Sequence, residues 1–293
     1  MDQIRGIAAL LEAALPGEGF TEDDVRTIIF DDPGMVVGVT NATGALCGVS
    51  AAVVRRFGDV CVGYVKLVAV HPTDRRGGIG RRLLSSLERW CAGEGATEVH
   101  LSGVAPVYFW PGIDMKAMTP MLCLAEHLGY QPRSGEYNMV LPVTFRAAVG
   151  DGILLRRIVN DVDDLAMVEL ISAHWPWWLD EYRRAVEGAT AIGAFEDDPD
   201  GDRVALGFVC HSVSRLGLLG PMGTNPARQG GGVGAALVAE VGKDLMAAGQ
   251  REIEICWVGP SAFYAKLGAE VNRTFRTYRK RGLQTTVGAR TVE

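Results

Sequence analysis

The sequence has no Cys-x-x-Cys pair, no long apolar run and no excess of basic residues. Each lack removes a class of protein. The six cysteines, Cys47, Cys61, Cys91, Cys123, Cys210 and Cys256, lie mostly in apolar stretches without metal-ligand spacing. They predict buried, reduced thiols rather than disulfides or a zinc site, and no metal is expected. Lys and Arg number 29 against 35 Asp and Glu, a net charge of −6. Nucleic-acid binding requires a basic surface to neutralise phosphates, so no nucleic-acid partner is expected. The apolar runs are far too short to span a bilayer, and no basic segment followed by an apolar one opens the chain. The expectation is a cytoplasmic protein without membrane contact, monomeric or homodimeric. What is present in quantity is apolar residue, 48% of 293, sufficient for one large core or two ordinary ones.

A repeat organises that material. His71-Pro-Thr-Asp-Arg-Arg-Gly-Gly-Ile-Gly80 matches Asn225-Pro-Ala-Arg-Gln-Gly-Gly-Gly-Val-Gly234. Pro72 and Pro226, Arg75 and Gln229, Gly78 and Gly232 are each 154 positions apart. At the same offset Ile79, Leu83, Leu84, Leu87 and Cys91 align with Val233, Leu237, Val238, Val241 and Leu245. That spacing is one apolar helix stripe, so each glycine loop opens an amphipathic helix. A short strand follows in each half, Glu98–Leu101 and Glu252–Cys256.

The flanks repeat as well. Met35–Val39, Ala45–Val54 and Val60–Val70 read as three antiparallel strands before the first loop, with a turn at Asn41–Gly44. Ala191–Phe195, Val204–Val213 and Leu216–Met222 read likewise before the second. A Gly-rich seam lies at Phe145–Gly152. The second half begins with a strand, Ile153–Ile158, whereas the first begins on a helix striped by Ile4, Ile7, Leu11 and Leu15. The missing first strand leaves an edge for which Gln284–Val292 is one candidate.

Glycine loops serve several chemistries. A Walker loop requires Lys-Ser/Thr after its last glycine, but Gly80 precedes Arg81-Arg82 and Gly234 precedes Ala235-Ala236. A Rossmann fingerprint requires a third glycine where Leu83 and Leu237 stand. What remains is Arg/Gln-x-x-Gly-x-Gly between strand and helix. With this motif, repeated in register with its flanks, nearly the whole chain resembles the GNAT superfamily of acetyl-CoA-dependent N-acyltransferases. The physical basis stands beside the resemblance. A helix N-terminus offers unpaired N–H groups and a positive dipole end to a pyrophosphate, and glycines let the backbone approach it. A tight turn without a ligand is the alternative reading of the same glycines.

The resemblance implies an α/β (α+β) protein of two tandem GNAT-like domains, 1–146 and 153–293, each a mixed, mostly antiparallel sheet flanked by helices. It implies acetyl-CoA as cofactor. In the first half the cofactor would meet Val68, Val70, Arg75, Arg76, Gly77, Gly78, Ile79, Gly80 and Arg81. In the second it would meet Met222, Gly223, Thr224, Gln229, Gly230, Gly231, Gly232, Val233, Gly234 and Ala235. The strand before each loop would splay from its neighbour to admit the pantetheine arm. A backbone N–H near the bulge would hold the oxyanion, usually a large contribution in acyl transfer.

The halves are not equal. Phe263-Tyr-Ala-Lys-Leu-Gly-Ala269 resembles the superfamily's Tyr-x-x-x-Gly segment, which implies Tyr264 as the acid that protonates the departing thiolate. Packing at a helix start is the other reading of that tyrosine. In the first half Ala125 stands opposite, and alanine donates no proton. Gly80 to Gly129 spans 49 residues against 34 from Gly234 to Gly268. The excess falls around Val107–Met115, where Tyr108 is a candidate replacement acid. His127 reads as a packed or surface histidine.

Near the second half's first helix, His174-Trp-Pro-Trp-Trp-Leu-Asp-Glu-Tyr182 carries three tryptophans in four residues. Packing and an acceptor wall are both open readings, the latter naming Trp175, Trp178, Glu181 and Trp257. Asp180, Glu181 and Glu254 are candidates to attract an amine. The function expected is acetyl transfer to an amine of a small molecule or peptide, by direct attack in a ternary complex. The rival is a regulatory protein that holds acyl-CoA with one or both domains inactive. A hydroxyl acceptor or a longer acyl chain is a further alternative.

Overall fold

A computed structural model describes residues 2–197, 203–229 and 231–283. In chain order the elements are α1 (Asp2–Ala14), α2 (Glu22–Val25), β1 (Met35–Thr40), β2 (Leu46–Phe57), β3 (Val60–Val70), α3 (Ile79–Gly93), β4 (Glu98–Leu101), β5 (Ile113–Asp114), α4 (Thr119–His127) and β6 (Gln131–Pro142). They continue with β7 (Leu154–Arg157), α5 (Asp161–His174), α6 (Leu179–Glu187), β8 (Ala191–Asp197), β9 (Arg203–His211), β10 (Leu218–Thr224), α7 (Val233–Ala247), β11 (Glu252–Ile255), α8 (Ser261–Lys266) and β12 (Glu270–Arg281). Contacts divide the chain into two compact units, residues 1–136 with 274–293 and residues 137–273. The Phe145–Gly152 seam lies within the second.

In unit 1, β1, β2 and β3 form an antiparallel meander, and α3 carries the chain to β4, which runs parallel to β3. Leu83, Leu84, Leu87 and Cys91 are buried on the sheet, as the helix stripe requires. Each such leucine contributes about 1.5–3 kcal/mol of burial. On the other side of β4 lies β12, through Tyr278–Arg281, with Tyr278 buried in the same core. α2 starts on a reciprocal cap between Thr21 and Asp24, which satisfies two free helix N–H groups. Among the described residues no strand pairs with the outer side of β1. The segment Gln284–Val292 suggested for that edge lies outside the described residues.

Unit 2 repeats the plan with the additional strand in place. β7, β8, β9 and β10 are antiparallel neighbours, α7 crosses over, and β11 runs parallel to β10. Beyond β11 comes β6, through Met139–Pro142. One face of the sheet packs on α7, through Leu237, Val238, Val241 and Leu245. The other packs on α5 and α6, through Met167, Ile171, Tyr182 and Ala185. β6 and β12 thus change unit midway, at Glu136/Tyr137 and Arg273/Thr274. The strand beside β4 in unit 1, and the one beside β11 in unit 2, come from the other half of the sequence. Among the described residues no helix is long and apolar enough to cross a membrane.

Candidate active site

Both glycine loops fold alike. A short 3-10 turn, Pro72–Asp74 or Pro226–Arg228, follows the strand. Gly78 and Gly232 then cap α3 and α7 at φ of 81° and 76°, a left-handed conformation that disfavours a Cβ. Among the described residues no side chain caps either helix. The first-turn N–H groups of Ile79, Gly80 and Arg81, and of Val233, Gly234 and Ala235, thus have no side-chain cap, the arrangement in which a helix start can receive an anion. Gly77 and Gly231 precede the caps; Gly230 lies outside the described residues.

Next to each loop the parallel strand pair opens. The β3–β4 register ends at Tyr64–His100 and the β10–β11 register at Leu219–Ile255. On the closed side β3 and β10 are themselves bulged at the same place. Ala51 and Ala52 pair with Leu67 and Val65, leaving Lys66 as the extra residue. In unit 2 the register moves from Leu219–His211 to Met222–Val209, so Gly220 and Pro221 stand opposite Cys210. The His71 N–H donates toward β2, to Cys47 O at 2.9 Å, and Asn225 N–H toward β9, to Leu206 O at 2.8 Å. Because strand N–H groups alternate sides, those of Val68 and Val70, and of Met222 and Thr224, point to the opening.

In unit 1 the opening is a cavity of about 990 Å³. Its wall runs from Arg75, Arg76 and Gly78–Arg81 along Leu67, Val68 and Val70 to Lys66, Ser102 and Trp110. The arginines are not equivalent. Arg75 donates to Val70 O (3.0 Å) and Ala14 O (2.8 Å), which braces the loop, whereas Arg81 lies 2.7 Å from His127 Nε2 on the cavity rim. Lys66, the one charged residue in an apolar strand, is buried. It donates to Ile28 O at 2.8 Å and pairs with Asp32, which also takes the Arg55 guanidinium. Sequence reasoning missed Lys66; its charge within Val60–Val70 was the signal.

The extra residues of the first half pack Phe109 and Trp110 against Phe20, with centroids 4.9 and 5.2 Å apart. Trp110 lines the cavity and Tyr108 does not. Ala125 is fully buried. All six cysteines are free, but the expectation of burial fails at Cys123, which is exposed on α4 and lines the cavity, and Cys256 is half-buried. The apolar run holding Cys123 is a helix with only Ala125 fully inside, so its sulfur faces outward.

In unit 2 the opening is furnished differently on its two faces. On the α7 face Tyr264 places its hydroxyl 3.7 Å from Met222 Sδ. Phe263 and Met222 stand against Gly234, where a Cβ would be 3.0 Å from the Phe263 ring. Burial pushes the Tyr264 phenol up to about 12, so it is protonated at neutral pH. On the α5/α6 face the Trp175 ring lies on Gly223; a Cβ there would be 2.7 Å from it. Trp175 stacks on Trp178 at 5.7 Å, and both contact Phe208. These two rings pack on Phe208 and Gly223, while Trp177 is exposed.

The acidic candidates separate. Glu254 is bound by Arg215 and Asn138, each at 2.7 Å. Asp180 is exposed beside Arg183. Glu181 is buried, and its Oε2 receives no hydrogen bond among the described residues. Desolvation, then the Asp180 charge, push its carboxyl up to about 8. Trp257, at φ 51°, donates its N–H to Asn138 Oδ1 at 3.0 Å and is partly exposed. Arg228 is paired with Glu196, and Gln229 lies exposed in the loop. Among the described residues no group of three or more His, Cys, Asp or Glu gathers to hold a metal.

Known proteins are similar to this chain. The description of the acetyltransferase (GNAT) family matches residues 5–107. The chain is 28% identical over 253 residues to a mycothiol acetyltransferase of Kineococcus radiotolerans, covering 81% of this chain and 78% of that protein. Its fold is similar to a tandem GNAT protein from the clavulanic acid biosynthesis pathway, with a TM-score of 0.70, 16% identity, and 96% and 95% of the two chains covered. It is also similar to the GCN5-related glucosamine N-acetyltransferase region of a fungal multi-domain GH3 beta-N-acetylglucosaminidase. There the TM-score is 0.76 at 16% identity, over 95% of this chain; the chain spans only 37% of that protein. By its matched first half, and by a fold that repeats the same loop, opening and sheet in its second, this chain is similar to tandem proteins of the acetyltransferase (GNAT) family.

Proposed function

We propose that the protein transfers an acetyl group from acetyl-CoA to an amine of a small molecule, or of a peptide, by direct attack in a ternary complex. In unit 2 the uncapped start of α7, the opened edge of β10 and the buried Tyr264 hydroxyl all meet at Met222, and that convergence carries the reading. The first-turn amides of α3 and α7 suit the cofactor's pyrophosphate, and the opened strand edges suit its pantetheine arm. The Met222 N–H, held on a strand, is placed to donate to the oxyanion, and Tyr264 to protonate the leaving sulfur. Trp175, Trp178, Glu181 and Trp257 would border the acceptor. The names of the mycothiol and glucosamine acetyltransferases support a small amine as acceptor, and the acidic balance supports a cationic one. We place it in the cytoplasm, as monomer or homodimer.

In this reading the two halves, 1–146 and 153–293, divide the work. Unit 1 holds acyl-CoA in its 990 Å³ cavity without turnover, because Ala125 stands where unit 2 has Tyr264. Titration calorimetry with acetyl-CoA should give two sites. Gly78→Ala should remove one while leaving most of the turnover, and Gly232→Ala should remove the other together with the turnover. Tyr264→Phe should lower kcat by about 10²-fold or more, the scale of a lost general acid. Full activity in Tyr264→Phe across pH would move the chemistry elsewhere.

A further inference from the structure

An amine that arrives as an ammonium ion must lose a proton before it can attack. Among the carboxylates considered for the unit 2 opening, Glu254 is taken by Arg215 and Asn138 and Asp180 faces solvent. Glu181 is over nine-tenths buried, and among the described residues nothing donates to its Oε2. Its position follows from helix and strand geometry. Trp178, Glu181, Tyr182 and Ala185 share the inner side of α6 at spacings of three and four residues, facing β9. The Trp178 and Tyr182 rings lie on Phe208, and Glu181 acts electrostatically on Cys210. Phe208 pairs with Gly223, and Cys210 lies opposite the bulged Gly220 and Pro221. Glu181 therefore stands beside the bulge on the α5/α6 face, while Tyr264 reaches Met222 on the α7 face.

We propose that Glu181 is the catalytic base of unit 2, taking the acceptor's proton from the side of the opening opposite the acid. The inference rests on unit 2 being the seat of transfer. In the step, the ammonium gives one proton to the Glu181 carboxylate. The amine then attacks the thioester carbon, the C–N bond forms, and the C–S bond breaks. The sulfur takes a proton from Tyr264, whose phenolate recovers one, through solvent, from the nitrogen. Glu181 releases its own proton to bulk, so one proton leaves per acetyl group transferred. In the free protein Glu181 is largely protonated at pH 7, since burial and Asp180 hold it near 8. Cys210 on β9 is a further titratable neighbour. The α5 carboxylate Asp164 is occupied by the Tyr182 hydroxyl at 2.7 Å. An ammonium placed beside Glu181 reverses the balance and ionises it.

The test uses the full chain with glucosamine as probe amine, following release of CoA thiol. Glu181→Gln should lower kcat by about 10²–10⁴-fold and erase the acidic limb of the wild-type pH profile. Acetyl-CoA affinity should be unchanged. Calorimetry in two buffers of different ionisation enthalpy should detect a proton released when glucosamine binds wild type at pH 7, and none in Glu181→Gln. A Glu181→Gln enzyme with the wild-type profile overturns the proposal, as does wild type binding glucosamine without proton release. If Tyr264→Phe is still impaired in those cases, only the base assignment falls. If Tyr264→Phe is fully active as well, the placement of transfer in unit 2 falls too. Should Glu181→Gln not fold, Glu181→Asp replaces it: a slower enzyme that keeps the acidic limb supports the proposal, and an unchanged rate overturns it.

Discussion

Gly78 and Gly232 hold backbone angles that cost an L-residue roughly 1–2 kcal/mol. The cost recurs because the left-handed turn aims the next amides along the helix axis, away from any side-chain cap. Gly78→Ala and Gly232→Ala should each lower unfolding free energy by about that amount in denaturant melts. Glu181 illustrates the opposite economy at the same scale. Its folded-state pKa lies above the unfolded value of 4.5, so the folded chain holds a proton that the unfolded chain releases. The destabilisation grows as pH rises from about 4.5 to about 8 and is constant above that. Glu181→Gln should therefore melt higher than wild type at pH 8 and converge with it near pH 4, read by calorimetry.

Strand pairing sets the next scale. β12 is tied to β4 in unit 1 by Glu98, which accepts from Arg281 at 3.0 Å and lies 2.7 Å from His100. Burial alone would raise the Glu98 pKa, but the Arg281 and His100 bonds outweigh it and the net shift is downward. A depressed carboxylate contributes stability that is present above its unfolded value and lost as pH falls through its folded one. Glu98→Gln should cost about 1–3 kcal/mol at pH 7, the scale of a hydrogen bond to a charged group, and almost nothing below that window. Urea titrations at pH 7 and pH 3 measure the difference. Loss of Glu98 should loosen β12 first, as faster amide exchange at Tyr278–Arg281.

At the scale of the molecule, the exchange of β6 and β12 makes each unit depend on chain from the other half of the sequence. Unit 1 needs Tyr278–Arg281 beside β4, and unit 2 needs Met139–Pro142 beside β11. A fragment of residues 153–293 lacks the second partner, and one of residues 1–146 lacks the first. Each edge left bare exposes unpaired N–H and C=O groups, a template for aggregation. Expressed alone, both fragments should aggregate or melt without cooperativity, and co-expression should restore one soluble complex. Two fragments that fold singly would contradict the exchange.

The paired loops, the stripes of α3 and α7, the meander strands and the place of Tyr264 were all legible in the residues. Their causes are local: a left-handed turn that opens a helix without a side-chain cap needs glycine, and an amphipathic helix advertises its period within fifteen residues. The destination of β6 and β12 was not legible, since an alternating strand pattern states which face is inside but not which edge it will join. The roles of Lys66 and Glu181 also waited on tertiary structure. Lys66 is an odd charge in an apolar strand until Ile28 and Asp32 arrive to receive it. Glu181 is one acid among several on a helix until β9 buries it and leaves its oxygen unpaired. Sequence alone determined the repeated elements because periodicity and turn chemistry are short-range; strand partnership and charge state were decided by residues distant along the chain that folding brings together.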